Sequence, residues 1–349
     1  MEKISTSEAQ EMPHYWRNSL LHIEQALKQV KRGQVRSLAV SAGGREIAVV
    51  EYGEKQPYNR LANYNSACGA GDTRYYKDKT INNRPVILII GGIHGGELEG
   101  VSAVLNLIHM LETGTDLRGK QLIDADRVLE QFRLLLIPCM NPDGRARVPV
   151  ESVLGMTMEE LRYFVQGAWQ DGSLCGWPDC KAIHPILEHA GHLGGYFNDN
   201  GINMMHDQFF MPWAEETKAL LKLADEEAAD VSVQLHGGTN VVNQILNTAY
   251  IPLSVKRKQL EFCEQLKKVS DERGLRYLVN ELNERDGEAG CPPSFNLASA
   301  MHHVSGGMSM VYETNMGLDA PGECYGYEEI MDSHMTLFEQ LFLFNYSIE

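Results

Sequence analysis

The 349-residue chain contains no run approaching 18 consecutive apolar residues, so no segment is suited to span a bilayer as a helix. The opening MEKISTSEAQEMPHYW has no apolar signal core. A cytoplasmic, reducing setting without membrane attachment is therefore expected. Basic residues are scarce: 31 Lys and Arg stand against 47 Asp and Glu, a net charge of −16. That balance argues against nucleic acid as a partner, because neutralising phosphates requires basic patches. The one compact basic run, Lys28 to Gly33, reads as a helix C-terminus, where cations and a following glycine are favoured. The seven cysteines are odd in number and widely spaced, unlike a disulfide scaffold. Cys175 and Cys180 have metal-ligand chemistry, but no partner pair follows, and a structural role is expected. Internal repeats and low-complexity tracts are absent. A homo-oligomer is compatible with the sequence.

Apolar residues make up 43% of the chain, enough for a sizeable core. Trp16 to Val30 has helical spacing through Leu20, Leu21, Ile23, Leu27 and Val30. SLAVSAGGREIAVVEYG reads as a hairpin turning at Gly43-Gly44. Val86–Ile90, Leu134–Ile137, Val231–Leu235 and Met308–Tyr312 are short apolar runs suited to buried strands. Helical patterns occupy Leu98–Leu111, Glu215–Ala229, Lys256–Leu275 and Glu328–Leu341. Strands alternating with helices predict α/β architecture. The expected organisation is a helical appendage over residues 1–36 and one catalytic domain over 37–349. Residues 151–210 carry scattered Gly, Trp, Asp and His without clear periodicity and are expected to form loops over the pocket. Asn59 to Asn83 is polar and is not assigned.

Chemistry concentrates at strand ends. The run VILIIGGIHGGELEG feeds a buried strand into a glycine-rich turn holding His94 and Glu97. His236 follows VSVQL directly, and Glu313 follows MSMVY. Ligands in α/β sheets bind beyond the strand C-termini. Two histidines and one glutamate with an open position make a recognised catalytic zinc set, and Glu313 is the candidate general base.

In these residues the chain resembles the zinc carboxypeptidases of the carboxypeptidase A type, including related deacylases of the succinylglutamate desuccinylase and aspartoacylase kind. The resemblance rests on His94-x-x-Glu97, on Asn141-Pro142-Asp143-Gly144 after the next strand, on His236, and on Glu313. It implies a single domain around a mixed, twisted eight-stranded sheet with helices on both faces. It further implies one zinc ion held by His94, Glu97 and His236, with Glu313 as base. An arginine should stabilise the oxyanion; Arg145 and Arg147 are the candidates, with Arg162 third. The family's substrate-carboxylate segment falls on Gly201 to Asp207, where Met205 takes the place of an Asn and His206 that of an Arg. Asn141, Met205, His206 and Asp207 are accordingly the expected substrate-binding residues. Histidine lacks arginine's bidentate fork, so carboxylate recognition should differ here. Tyr250, Tyr277, Phe295, His302 and His303 are candidates to line the pocket. The implied activity is a zinc-dependent metallocarboxypeptidase acting on a peptide or modified peptide. The alternatives are an N-acyl amino acid deacylase and a non-catalytic metal-binding protein that retains the fold.

Overall fold

A computed structural model describes residues 11–55, 57–78, 84–282 and 292–346. The chain opens with helix α1 (Leu20–Gln29), capped by the Ser19 side chain, which accepts from the His22 N–H. Strands β1 (Gln34–Val40) and β2 (Glu46–Tyr52) form the expected hairpin. Its turn is wider than two residues: the Asp143 carboxylate takes the Ser41 hydroxyl and the Gly43 N–H and holds the loop open. Next come α2 (Tyr64–Gly69), β3 (Val86–Ile90), α3 (Leu98–Thr113), α4 (Ala125–Gln131) and β4 (Arg133–Ile137). α3 stops at Gly114, whose φ of 91° is the left-handed conformation that glycine adopts without strain.

The middle of the chain is short elements: α5 (Pro142–Arg147), α6 (Met158–Leu161), and a two-stranded sheet of β5 (Gly167–Trp169) and β6 (Ala190–Leu193). The C-terminal part runs α7 (Glu215–Glu227), β7 (Val231–Gly237), β8 (Asn243–Leu246), α8 (Leu253–Glu272), β9 (Tyr277–Leu278), α9 (Leu297–Ser305), β10 (Met308–Thr314) and α10 (Tyr327–Leu343).

Eight strands make one sheet in the order β1-β2-β4-β3-β7-β10-β8-β9. β4, β3, β7 and β10 run parallel at its centre. β2 pairs antiparallel with β4, and β8 antiparallel with β10. Every residue of β3, β4 and β7 is buried, because helices cover both faces. Ile87, Ile89 and Val233 join the cluster under α3, α8 and α10; Val86, Leu88 and Ile90 join the one under α7 and α9. Among the described residues no helix is long and apolar enough to cross a membrane.

The boundary expected at residue 36 falls inside β1, and Tyr15 and Trp16 lie in the main apolar cluster. The described part of the N-terminal segment is therefore packed into the domain. Asn18 ties it down, donating to the Ser102 hydroxyl and the Glu151 carbonyl. Cys175 and Cys180 are buried in a small apolar cluster with Ile186 and Phe197. Cys291 lies outside the described residues.

Candidate metal centre

The parallel strands β3, β7 and β10 end side by side, and each delivers part of the centre. After β3 the chain reverses through Gly91 and Gly92, the latter at φ 57°. This turn is zipped to the segment after β4: Met140 N–H donates to Gly91, and Asn141 N–H to Gly92. His94 follows, and Glu97 occupies the N-cap of α3 without making a capping bond. Its carboxylate is engaged elsewhere. One oxygen lies 2.8 Å from His94 Nδ1 and the other 2.8 Å from His236 Nδ1.

The two Nδ1 atoms are themselves 3.3 Å apart. His94, Glu97 and His236 are buried, and among the described residues they are the one group of three or more His, Cys, Asp or Glu whose donor atoms converge as for an ion. Two imidazole nitrogens facing one carboxylate form a donor set suited to zinc. Their separation also agrees with two nitrogens each about 2.0–2.1 Å from a shared tetrahedral ion. Burial lowers the pKa of His94, against the pull of Glu97, which favours the neutral ring a metal requires. Burial alone would raise Glu97, but the two histidines hold it down at about 2.

Asn203 suits the ligating tautomer of His94. His94 Nε2 lies 3.1 Å from Asn203 Oδ1, an acceptor, so an ion held on Nδ1 would leave the Nε2 proton to be donated to Asn203. Asn203 is fixed in turn by its own N–H, which donates to His184 Nε2 at 2.8 Å. The Tyr196 ring stacks on His94 with centroids 3.9 Å apart. Both residues come from the region between β6 and α7, where the sequence carries no periodic signal.

Glu313 is the register partner of His236 across β7 and β10. Burial raises its pKa to about 7, while His236 and Lys181 pull it down. Gly238 leaves the space that Glu313 needs, since a Cβ there would sit 2.8 Å from Glu313 Oε2.

Several expected site residues have other tasks. Arg145 is buried and donates to the carbonyls of Asn18, Val148 and Val150. Arg147 binds Asp199 and the carbonyls of Gly194 and Phe197. Both guanidiniums are spent on loops rather than turned to the cluster, and Arg162 is exposed. Asn141 caps α5, accepting from the Gly144 N–H, and donates to the Gly195 carbonyl. Met205 packs into the apolar cluster under α7 and α9. Asp207 accepts from the N–H groups of Gln208, Trp213 and Ala214, closing the loop into α7. His206 does line a cavity beside the centre, but burial depresses its pKa to about 3. It is neutral at physiological pH and does not replace a cation. Tyr250 donates to the Pro293 carbonyl, Tyr277 is buried in the main core, and the His302 ring is paired with the Gly307 carbonyl.

The zinc carboxypeptidase family matches residues 23–309. The chain belongs to that family. Among solved structures it is similar to a metallo-carboxypeptidase from Burkholderia cenocepacia, at 15% identity and a TM-score of 0.56 over 92% of this chain and 66% of the other. It is similar to a metallo-carboxypeptidase from Pseudomonas aeruginosa, at 14% identity and 0.52 over 92% and 66%. Carboxypeptidase A from Helicoverpa armigera matches at 13% and 0.50, over 96% and 75%. At these identities the likeness to each structure is one of fold. This zinc carboxypeptidase family chain spans about two thirds of the length of the first two.

One buried acid two residues beyond Glu97 has no side-chain partner among the described residues. Glu99, in the first turn of α3, is 1% exposed, and neither carboxyl oxygen has a hydrogen bond among the described residues. Burial pushes its pKa up to about 8. A raised carboxyl pKa makes the folded state hold the proton longer than the unfolded chain. Its contribution to stability is complete below the unfolded value near 4.5 and is gone once the pH has risen through about 8. Wild-type metal-free protein is therefore expected to lose stability over that window by about 1.4 kcal/mol per pH unit from this group alone. Glu99→Gln, which carries no charge, should flatten that slope and be the more stable protein at pH 8. Denaturant melts at pH 5 and pH 8 check it; parallel slopes for the two proteins refute it.

Proposed function

We propose that this chain is a zinc-dependent hydrolase of the metallocarboxypeptidase type, cleaving an amide bond in a peptide or modified peptide. The observation that carries the reading is the convergence of His94 Nδ1, His236 Nδ1 and the Glu97 carboxylate, with Glu313 on the strand beside His236. His94, Glu97 and His236 would hold the ion. A zinc ion there supplies a Lewis acid that polarises the scissile carbonyl and acidifies water. Glu313 takes the proton from the attacking water and returns it to the leaving amine, a role suited to a carboxyl whose burial lifts its pKa toward the working pH. Asn203 keeps His94 in the ligating tautomer. Tyr196 covers the His94 ring and restricts its rotation.

The cavity beside the centre is only about 270 Å³. That size favours a second reading, an N-acyl amino acid deacylase, in which the whole substrate is small. Removal of the C-terminal residue from a decapeptide supports the first reading, and hydrolysis confined to acylated amino acids supports the second.

The deciding experiment is zinc content per chain after dialysis, paired with hydrolysis of both substrate types, for wild type and His236→Ala. About one zinc in wild type, largely lost in the variant together with activity, is expected of a three-ligand site. A wild-type chain that holds no zinc when it is supplied sinks the proposal. Full zinc without hydrolysis of either substrate favours the non-catalytic metal-binding protein.

A further inference from the structure

Strand alternation divides β7 between the two faces of the sheet. Val231, Val233 and Leu235 join the cluster under α3, α8 and α10, so Ser232, Gln234 and His236 belong to the face under α7 and α9. On β10 that face takes Ser309, Val311 and Glu313, because Val311 packs in its cluster while Met308, Met310 and Tyr312 pack in the other. The register sets Ser309 beside Ser232, Val311 beside Gln234 and Glu313 beside His236. A column of polar side chains thus runs down an apolar face, starting at the metal centre.

The column is buried, and several of its polar atoms are unpaired. His236 Nε2, both amide atoms of Gln234 and the Ser309 hydroxyl have no hydrogen-bond partner among the described residues. Gln234 is flanked at its own level by Ile90 of β3 and Val311 of β10, whose side chains offer it nothing polar. A buried amide left unpaired is unfavourable, and an apolar side chain would serve packing better. The amide therefore calls for another task.

The two metal histidines differ on one point. An ion held on Nδ1 leaves each ring with its proton on Nε2. His94 has Asn203 Oδ1 to receive that proton, whereas His236 Nε2 touches no acceptor among the described residues. Gln234 stands two residues back on the same face, about 6.6 Å along the strand. Side chains at that separation are readily joined by one water, and a buried water typically takes about three hydrogen bonds from otherwise unpaired polar groups.

We propose that Gln234 is a positioning residue for the His236 ligand: through a buried water its amide oxygen accepts the Nε2 proton and fixes the ring with Nδ1 toward the ion. The Ser309 hydroxyl, diagonally below on β10, completes the water's partners. The role rests on the metal centre of the hydrolase reading, but not on hydrolysis. Gln234 itself touches neither ion nor substrate.

Chelator competition on the full chain measures zinc affinity. Gln234→Met keeps the length of the side chain and removes the amide. It should weaken zinc binding by about ten- to a hundredfold, as loss of an outer-shell partner does, with the melting temperature of the zinc-free protein unchanged. Gln234→Glu retains an acceptor and should restore most of the affinity. Proton NMR of the cobalt-loaded protein gives a signature that packing alone would not. Each ligating imidazole contributes one exchangeable N–H signal displaced by the ion, and Gln234→Met should move one of the two and leave the other in place. Ser309→Ala, the milder variant should Gln234→Met fail to fold, should move the same signal with a smaller loss of affinity. Variants that bind zinc as tightly as wild type with both signals in place overturn the role. Equal loss of affinity in Gln234→Met and Gln234→Glu assigns the effect to packing and also overturns it. A wild-type chain that takes up neither zinc nor cobalt sinks the metal centre, and this role with it. A wild-type chain that binds zinc and hydrolyses neither peptides nor acyl-amino acids, yet shows these changes in the variants, refutes the hydrolase reading and upholds the role.

Discussion

Glu313→Gln should lower turnover by about two to four decades while the protein keeps its full complement of zinc. The two halves of this expectation have separate physical origins. Zinc is retained because the converging donors are His94, Glu97 and His236, and Glu313 is not among them. Turnover falls because the amide matches the carboxylate in size but accepts no proton. Gln also fits the space left by Gly238, so the folded structure has no reason to shift. The pH profile carries a further signature. Burial lifts Glu313 to about 7 in the metal-free protein, and a bound cation would favour the ionised carboxylate and pull that value down. The acid limb of kcat/KM in the zinc-loaded wild type should therefore lie below 7 and be missing from the residual activity of Glu313→Gln. Zinc content, kcat and the pH profile of kcat/KM measured on one preparation check all three. Near-wild-type turnover at full zinc would remove Glu313 from the reaction.

His94, Glu97, His236 and Glu313 were legible in the sequence because each sits at or just beyond the end of an apolar run, and a parallel sheet brings such ends together. The central strands and the long helices were legible for the same reason: burial on both faces, or along one face, writes a pattern into the residue types. β8 and β9 left no such pattern. They are four and two residues long, and each mixes buried with exposed positions. α9 is a nine-residue helix whose His302 and His303 suggested a pocket rather than a helix facing the core.

Arg145 and Arg147 misled for a chemical reason. A charged residue beside a motif reads as functional, yet here the guanidiniums satisfy backbone carbonyls of irregular segments that have no strand or helix to pair with. The same irregularity hid Asn203 and Tyr196, which hold His94. They belong to a stretch held by turns, aromatic stacking and side chain-to-backbone bonds, and such contacts join residues with no fixed spacing.

Gly95→Ala should be among the most damaging small substitutions at the described glycines, costing about 3 kcal/mol or more and weakening zinc retention as well. A Cβ at Gly95 would meet the Asn141 carbonyl oxygen at 2.6 Å, with Arg145 N and Gly144 C closer still. All three are backbone atoms, which have no rotamer to turn aside. Nor is there slack behind them. A Cβ at Gly144 would press on the Gly195 carbonyl, Gly195 packs against Gly96, and Gly95 N–H donates to that same Gly195 carbonyl at 2.8 Å. Three loops thus meet through glycines, and the Asn-Pro-Asp-Gly turn acts as the floor on which His94 and Glu97 stand. A methyl group between floor and loop has to lift the segment carrying two of the three metal donors. Gly44→Ala provides the contrast: Gly44 has φ 79° but nothing within 4 Å of its would-be Cβ. It should cost only the conformational penalty of about 1–2 kcal/mol and leave zinc binding intact. Melting curves and zinc content for the two variants separate the effects. Equal destabilisation with zinc retained in both would show that close packing at Gly95 does not govern the metal loop.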